Sequence, residues 1–456
     1  MEHISRKLAR FAVNLKYEDL DDRSVHEAKR YLLDSLGCAL GGSRTHDAKI
    51  IFGFIEEEGG REEATLIGTR RKVPASWASF YNALIVRALD YNDIYWKADP
   101  SHPSDILPAA LAVAEREGLG GREVLLGIVI GHELEMRFCE AAEPGIRERG
   151  WHHASLTGFV SPVVAGRLLG LSEEQIQNAI GISGCHTLTL GAVTAGKLTM
   201  MKNTVDPIAT WQGTLAALWA QKGYIGPEHV IDGKEGLFHC LGEKWLPGKL
   251  TDGLGESFKI KDCSMKFFPT EALTHSPLTA ALKLREDHGI DPEAIEEITI
   301  HTVARAVDIL CDPSKYSPAS KETADHSLPY CVAVAFMDGI VTPESFEEKR
   351  FADRKLLALV GKVKGVADPE IEKTFPALYR CDMEVRMKDG TVHSTRVDYP
   401  KGDPRNPLTD KDVEGKFLAL AEPVLPEGKA REVISIVDGL DKEASLDRLF
   451  AALVAR

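Results

Sequence analysis

Five segments of the sequence set titratable side chains beside apolar runs, the arrangement that proton transfer in a buried pocket requires. The first, LDYNDIYWKADPSHPSDILPAA (Leu89 to Ala110), crowds Asp90, Asn92, Asp93, Asp99, His102, Ser104 and Asp105 between two apolar helical stretches. Taken alone, such a loop also suits helix capping, because Asp and Ser side chains satisfy free helix amides. The second, RGWHHASLTG, places adjacent His152 and His153 ahead of an apolar helix. Imidazoles titrate near neutral pH, and since neighbouring side chains diverge, at most one of the two is expected to be catalytic. The third, LTMMKNTVDPIATWQGTLAAL, embeds Lys202 among apolar neighbours. A desolvated lysine holds a carboxylate or acts as a base, whereas the plainer reading is a surface lysine whose stem packs on apolar chain. The fourth, KFFPTEALTH, groups Lys266, Glu271 and His275 around Pro269 at an expected domain junction, where clefts form. The fifth, DPSKYSPASKETADHSLPY, offers Tyr316, Lys321 and His326 as proton or hydrogen-bond donors, with Thr323 and Asp325 suited to cap the following helix.

Other chemistries find little support. The 15 His include no HExxH-like pair beside a carboxylate, and the 8 Cys are scattered with no CxxC, so no metal site is expected and the thiols should be free in a reducing compartment. Neither GxGxxG nor GxxxxGK[ST] occurs where a strand would feed a helix, and no cofactor is expected. With Lys+Arg 55 against Asp+Glu 69 the net charge is −14, which disfavours nucleic-acid binding and requires any cationic pocket for an anion to be local. The longest apolar stretch, VLLGIVIG, is far shorter than the ~20 residues of a spanning helix, and MEHISRKLARF lacks an apolar signal core. A cytoplasmic protein with no membrane partner is expected.

The elements that must position these groups follow from periodicity. The 456 residues imply two or three domains, with ample chain for a large core. Up to about Asp262 the apolar positions repeat at helical spacing, as in RSVHEAKRYLLDSLGCALGG, and Ser172 with its acidic followers marks a helix start. From Cys263 to Gly402 the texture changes. EITIHTV alternates with period two, CDMEVRMKDGTVHSTRVDYP reads as two strands joined at Lys388-Asp389-Gly390, and helices are expected near PLTAALKLRE and SLPYCVAVAFMDG. Helical texture resumes after PKGDPRNPL in segments too short to fold alone. The expected fold is mainly α: a large all-helical domain (1–262 with 403–456) and a smaller α+β lid domain (263–402) inserted before the C-terminal helices.

At these segments the sequence resembles the MmgE/PrpD family, from YLLDSLGCALGG near the start to PKGDPRNPLTDKDVEGKF near the end. The most specific strings are HPSD (His102 to Asp105), GW-x-H followed by GRLLGLS, KETADHSLPY and PKGDPRNPL, all in consistent order. The resemblance implies an iron-independent enzyme acting on a small polycarboxylate, built as a two-domain homodimer whose lid closes over the pocket. Family activities include 2-methylcitrate dehydratase, cis-aconitate decarboxylase and iminodisuccinate epimerase. The ETADHSLPY string looks most like the dehydratase branch. The implied catalytic residues are Asp93, His102, His153, Lys202, Lys266 and His275, with Asn92, Ser104, Tyr316, Lys321 and His326 as substrate contacts. Where dehydratase-like members often read FNDT, HPSDN and GWDH, this chain reads YNDI, HPSDI and GWHH, with Ile94, Ile106 and His152 at the changed positions, and NTVDP after Lys202 is atypical.

Dehydrating a β-hydroxy tricarboxylate means removing a weakly acidic proton α to a carboxylate, protonating the departing hydroxyl and neutralising the charge that develops. The resemblance implies that Lys202 and Lys266 clamp carboxylates while His102 and His153, tuned by Asp93, act as base and acid. An epimerase or decarboxylase would use the same pocket, and a non-catalytic polycarboxylate-binding protein would retain the same fold.

Overall fold

The computed structural model describes residues 2–195, 198–242 and 244–456, and its buried apolar side chains fall into two large clusters. The first joins the helices up to Met265 with residues from Leu408 to Leu453, so the C-terminal helices return to the N-terminal body. The second holds Trp96 and residues from Phe268 to Val397.

The body is built on helices α1 (Ile4–Asn14), α2 (Asp22–Gly42), α3 (His46–Glu58), α4 (Ala75–Arg87), α5 (Leu107–Glu117), α6 (Gly121–Ala141), α7 (Ala154–Leu168), α8 (Glu173–Gly184) and α9 (Met201–Gln221). Their starts carry the expected chemistry: the Asp21 carboxylate accepts from Ser24 N at 2.9 Å, and Ser172 and Gln175 form a reciprocal capping box at α8. Helix α9 packs against α4, α7 and α8, and the helix Asp410–Ala421 packs along α2. Gly42 ends α2 where a Cβ would lie 1.9 Å from the Ile85 carbonyl oxygen, so the close approach of α2 to α4 depends on glycine there.

The second cluster wraps a four-stranded sheet in the order Val392–Val397, Cys381–Met387, Ile295–Thr302, Val363–Ala367. The first two pairings are antiparallel and the last is parallel. In the second strand Cys381, Met383, Val385 and Met387 face inward with the period of two read from the sequence, and Gly390 at φ 90° closes the expected hairpin. The helices His275–His288 and Leu328–Asp338 pack together beside this sheet.

Two features tie the halves together. A small sheet pairs Asp93 with Met265 and Ile94 with Ser264, which sets the Asp90 loop beside Lys266 at the start of the second unit. The buried Lys416 on the C-terminal helix donates to the Tyr91 carbonyl at 2.6 Å, to the Lys266 carbonyl at 2.8 Å and to Asp34 Oδ1 at 2.6 Å. One ammonium thus fixes the backbone on both sides of the future site. Replacing it strands a buried carboxylate and two carbonyls, so Lys416→Met should cost about 3–5 kcal/mol of stability, read as a lower urea midpoint. An unchanged midpoint would show that Lys416 does not join the halves.

Candidate active site

A cavity of about 1070 Å³ opens between the two clusters. Its walls include Arg87, Asp90, His102, Arg147, His152, His153 and Lys202 from the body, and Lys266, Glu271, Lys315 and His326 from the other side.

At its base lies Asp90. The chain leaves α4 through Asp90 at φ 51°, the only non-glycine residue with positive φ among the described residues, a conformation Asp tolerates better than most side chains. This turn brings a single carboxylate among cations. Lys266 Nζ lies 3.0 Å from Oδ1, Lys202 Nζ lies 3.2 Å from Oδ2, and Arg87 pairs with Oδ1 from one turn back on α4. His326 Nε2 is 3.8 Å from Oδ2. Burial alone would raise the Asp90 carboxyl, but Lys202, Lys266 and Arg87 hold it well below the usual carboxylate range. The cations respond in turn: burial, reinforced by Arg87, pulls Lys202 down to about 8, and burial lowers Lys266 as well.

His102 lies on the same cavity. Its Nδ1 is 2.5 Å from the Asp93 carbonyl oxygen, which can only accept, so Nδ1 carries the proton and Nε2 keeps its lone pair. Burial, with Arg87 and Lys266 adding repulsion, pushes its pKa well below the ordinary imidazole value and leaves the ring neutral. His153, whose ring centroid is 5.5 Å from that of His102, directs Nε2 at Asp206 Oδ1 across 3.3 Å. Burial raises the Asp206 carboxyl, yet the neighbouring His153 more than reverses this and keeps it well below the usual range. Arg87 Nε stands 3.6 Å from Asp105 and 3.8 Å from Asp206, so one guanidinium serves three acids.

The residues expected from the sequence divide into two groups. His102, His153, Lys202, Lys266 and His326 line the cavity together. Asp93, Asn92, Ser104, His275, Tyr316 and Lys321 are not among its lining residues. Asp93 accepts from Ser104 N at 3.0 Å and Ser104 Oγ at 2.6 Å, with His132 Nε2 3.3 Å away, and so braces the loop beneath His102. Asn92 donates to Ser104 Oγ and Asp105 inside the same brace. His275 sits 3.3 Å from the Thr270 carbonyl with its ring against Phe268, and burial drives its pKa to about 3. The Tyr316 hydroxyl donates to the Val363 carbonyl at 3.2 Å and its ring packs on the second core. Lys321 pairs with Asp325 at 2.8 Å, and that acid in turn orients His326 through Nδ1 at 2.6 Å.

Arg87, Asp90 and Asp206 went unassigned from sequence. Each carried a signal: a charge inside an otherwise apolar helical run, ASFYNALIVRALD for the first two and NTVDPIAT for the third. His152, His153 and Asp206, and separately Asp93, His132 and Cys263, gather ligand-type atoms within 4.8 Å. Protein groups already engage them, since His152 Nδ1 accepts from Ala154 N, Arg87 faces Asp206, and Asp93 is taken by Ser104 and His132.

The chain matches the MmgE/PrpD N-terminal domain over residues 6–247 and the MmgE/PrpD C-terminal domain over residues 268–442. The chain belongs to the MmgE/PrpD family. Similar members include cis-aconitate decarboxylase of Homo sapiens, 27% identical over 451 residues, 97% of this chain and 92% of that protein. Another is 2-methylcitrate dehydratase of Cupriavidus necator, 27% identical over 417 residues, 86% of this chain and 84% of that protein. A 2-methylcitrate dehydratase of Salmonella typhi is 27% identical over 376 residues, 78% of this chain and 76% of that protein. The family is thus one of enzymes, dehydratases and decarboxylases among them.

The Asp90 cluster makes a prediction independent of substrate. Asp90→Asn keeps the side-chain shape and tolerates the left-handed backbone but leaves three buried cations without their shared anion. Stability should fall by about 3–5 kcal/mol, with partial recovery on adding citrate as a replacement anion. A variant as stable as the wild type would show that the cations do not depend on Asp90.

Proposed function

We propose that the protein is a hydro-lyase that dehydrates a small hydroxy-polycarboxylate, 2-methylcitrate to 2-methyl-cis-aconitate, with side chains alone supplying the chemistry. The observation that carries this reading is the state of His102: a neutral imidazole with its Nε2 lone pair free, on the wall of a cavity based on Lys202, Lys266 and Arg87. That is a general base set beside cations. Abstraction of a proton α to a carboxylate places charge on that carboxylate, and ammonium groups in a site of low dielectric stabilise such an enolate-like state. When substrate enters, its carboxylates compete with Asp90 for the lysines. His153, backed by Asp206, adds a second imidazole 5.5 Å from that of His102 between ring centroids.

Dehydration needs the base that His102 provides, and the ETADHSLPY string, which looks most like the dehydratase branch, delivers His326 to Asp90. One observation favours a second reading. The human cis-aconitate decarboxylase aligns over 97% of this chain, more than the 86% of the Cupriavidus necator dehydratase. Decarboxylation would use the same cationic pocket and protonate the carbon instead.

The deciding experiment follows ultraviolet absorbance of chelator-treated protein with 2-methylcitrate, alongside citrate, cis-aconitate and iminodisuccinate, with products identified by mass spectrometry. A conjugated alkene from 2-methylcitrate is expected, and carbon dioxide released from cis-aconitate instead would favour the decarboxylase. His102→Asn should reduce turnover by ~100-fold or more in a folded protein, and near-normal turnover would remove it from the mechanism. Lys202 is charged below its pKa of about 8 and neutral above it, so KM should rise as pH passes 8. Lys202→Met should raise KM at neutral pH and abolish that rise, whereas an unchanged KM would exclude Lys202 from carboxylate binding.

A further inference from the structure

The proposed reaction needs an acid as well as a base, and the histidines are poorly disposed to be that acid. Burial lowers the pKa of His102, His152 and His326, and His153 directs Nε2 at Asp206, the acid that Arg87 also faces. Lys202 and Lys266 are committed to carboxylates. Three further acids line the cavity: Asp308 is exposed, Asp312 is open to solvent and caps the turn at Ser314, and Glu271 lies half-buried beside Lys266 in KFFPTEALTH.

Its placement is well defined. The Glu271 amide donates to the Asp325 carbonyl at 3.0 Å, and its own carbonyl accepts from Thr274 N at 3.1 Å and Thr274 Oγ1 at 2.7 Å. The side chain begins the short turn Ala272–Thr274 by accepting from Leu273 N through Oε2 at 2.6 Å. Capping uses one oxygen only. Among the described residues nothing hydrogen-bonds to Oε1, and Glu271 lines the cavity that His102 also lines. A capping role alone would be served as well by Asp, Ser or Asn on the surface, with no need to set a carboxyl in a cationic cleft.

We propose that Glu271 is a catalytic residue, the acid that protonates the departing hydroxyl; this rests on the dehydratase reading above. His102 Nε2 takes the proton from the carbon α to a carboxylate, and the electron pair left behind becomes the new C=C bond as the C–O bond breaks. The hydroxyl oxygen keeps the C–O pair, takes the Glu271 proton and leaves as water. Glu271 ends as a carboxylate and His102 as an imidazolium, and proton exchange with solvent restores both, so no oxidant or reductant is involved.

The electrostatics fit this role. Burial pushes the Glu271 carboxyl up to about 7, which supplies the proton at neutral pH. Lys266 and Arg147 on the cavity wall favour the carboxylate, Asp90 favours the acid, and Tyr379 and Cys331 pack within its field. The acid form predominates below about 7, so turnover should decline as pH rises through that value.

The test is Glu271→Gln in the full chain, which retains an oxygen for the Leu273 amide but has no proton to give. With 2-methylcitrate as substrate, kcat should fall ~100-fold or more with KM little changed, and the decline of kcat above pH 7 should disappear. Glu271→Asp keeps both cap and acid and should restore part of the turnover, which also covers the case of a poorly folded Gln variant. A Gln variant within about threefold of wild-type kcat, or one that keeps the same alkaline decline, overturns the inference. A wild-type enzyme that turns over none of the polycarboxylates overturns the dehydratase reading itself, and this inference with it.

Discussion

One buried carboxylate organises the site. Asp90 sits where three cations would otherwise repel one another, and each of them is tied through it to a different part of the chain: Arg87 to the end of α4, Lys202 to the start of α9, Lys266 to the first residues of the second unit. Two like charges 4 Å apart in a region of effective dielectric 20 repel by about 4 kcal/mol, so such a cluster persists only with an anion at its centre. The left-handed backbone at Asp90 is the conformational cost of placing the anion there. Under the proposed function, a substrate carboxylate would exchange for this internal one in place of filling a site from water.

The architecture serves this cluster from outside. The small sheet that pairs Asp93 and Ile94 with Met265 and Ser264 fixes how the second unit meets the body, and Lys416 reaches in from the C-terminal helix to hold the carbonyls of Tyr91 and Lys266. The C-terminal helices therefore have a function at the site although they line none of it. The cavity lies at the seam, with its base supplied mainly by the body and Glu271, Lys315 and His326 supplied by the other side.

Much of this was legible in the sequence where a pattern is local. Period-two alternation in EITIHTV and CDMEVRM, the Gly390 turn and the helix start at Ser172 depend on near neighbours, and the structure shows them as read. His102, His153, Lys202, Lys266 and His326 could be singled out because they are titratable residues in apolar surroundings. Their common cavity depends on contacts between distant segments that periodicity does not encode. Asp93 and Asp90 illustrate the difference: both lie in one acidic loop, yet only the reversal after α4 decides that Asp90 faces the cations while Asp93 turns under the loop to Ser104 and His132. His275 and Glu271 are a similar pair, separated by one short turn: Glu271 lines the cavity, and the His275 imidazole lies against Phe268 outside its lining.

If a neutral histidine in this cationic cavity removes a proton α to a carboxylate, proton NMR of the wild-type protein with 2-methylcitrate in deuterium oxide should show that proton leave. The α-proton signal is expected to disappear as an alkene product forms, with deuterium at that carbon in recovered substrate. Bound substrate that keeps its α-proton on the folded protein would rule His102 out as the base.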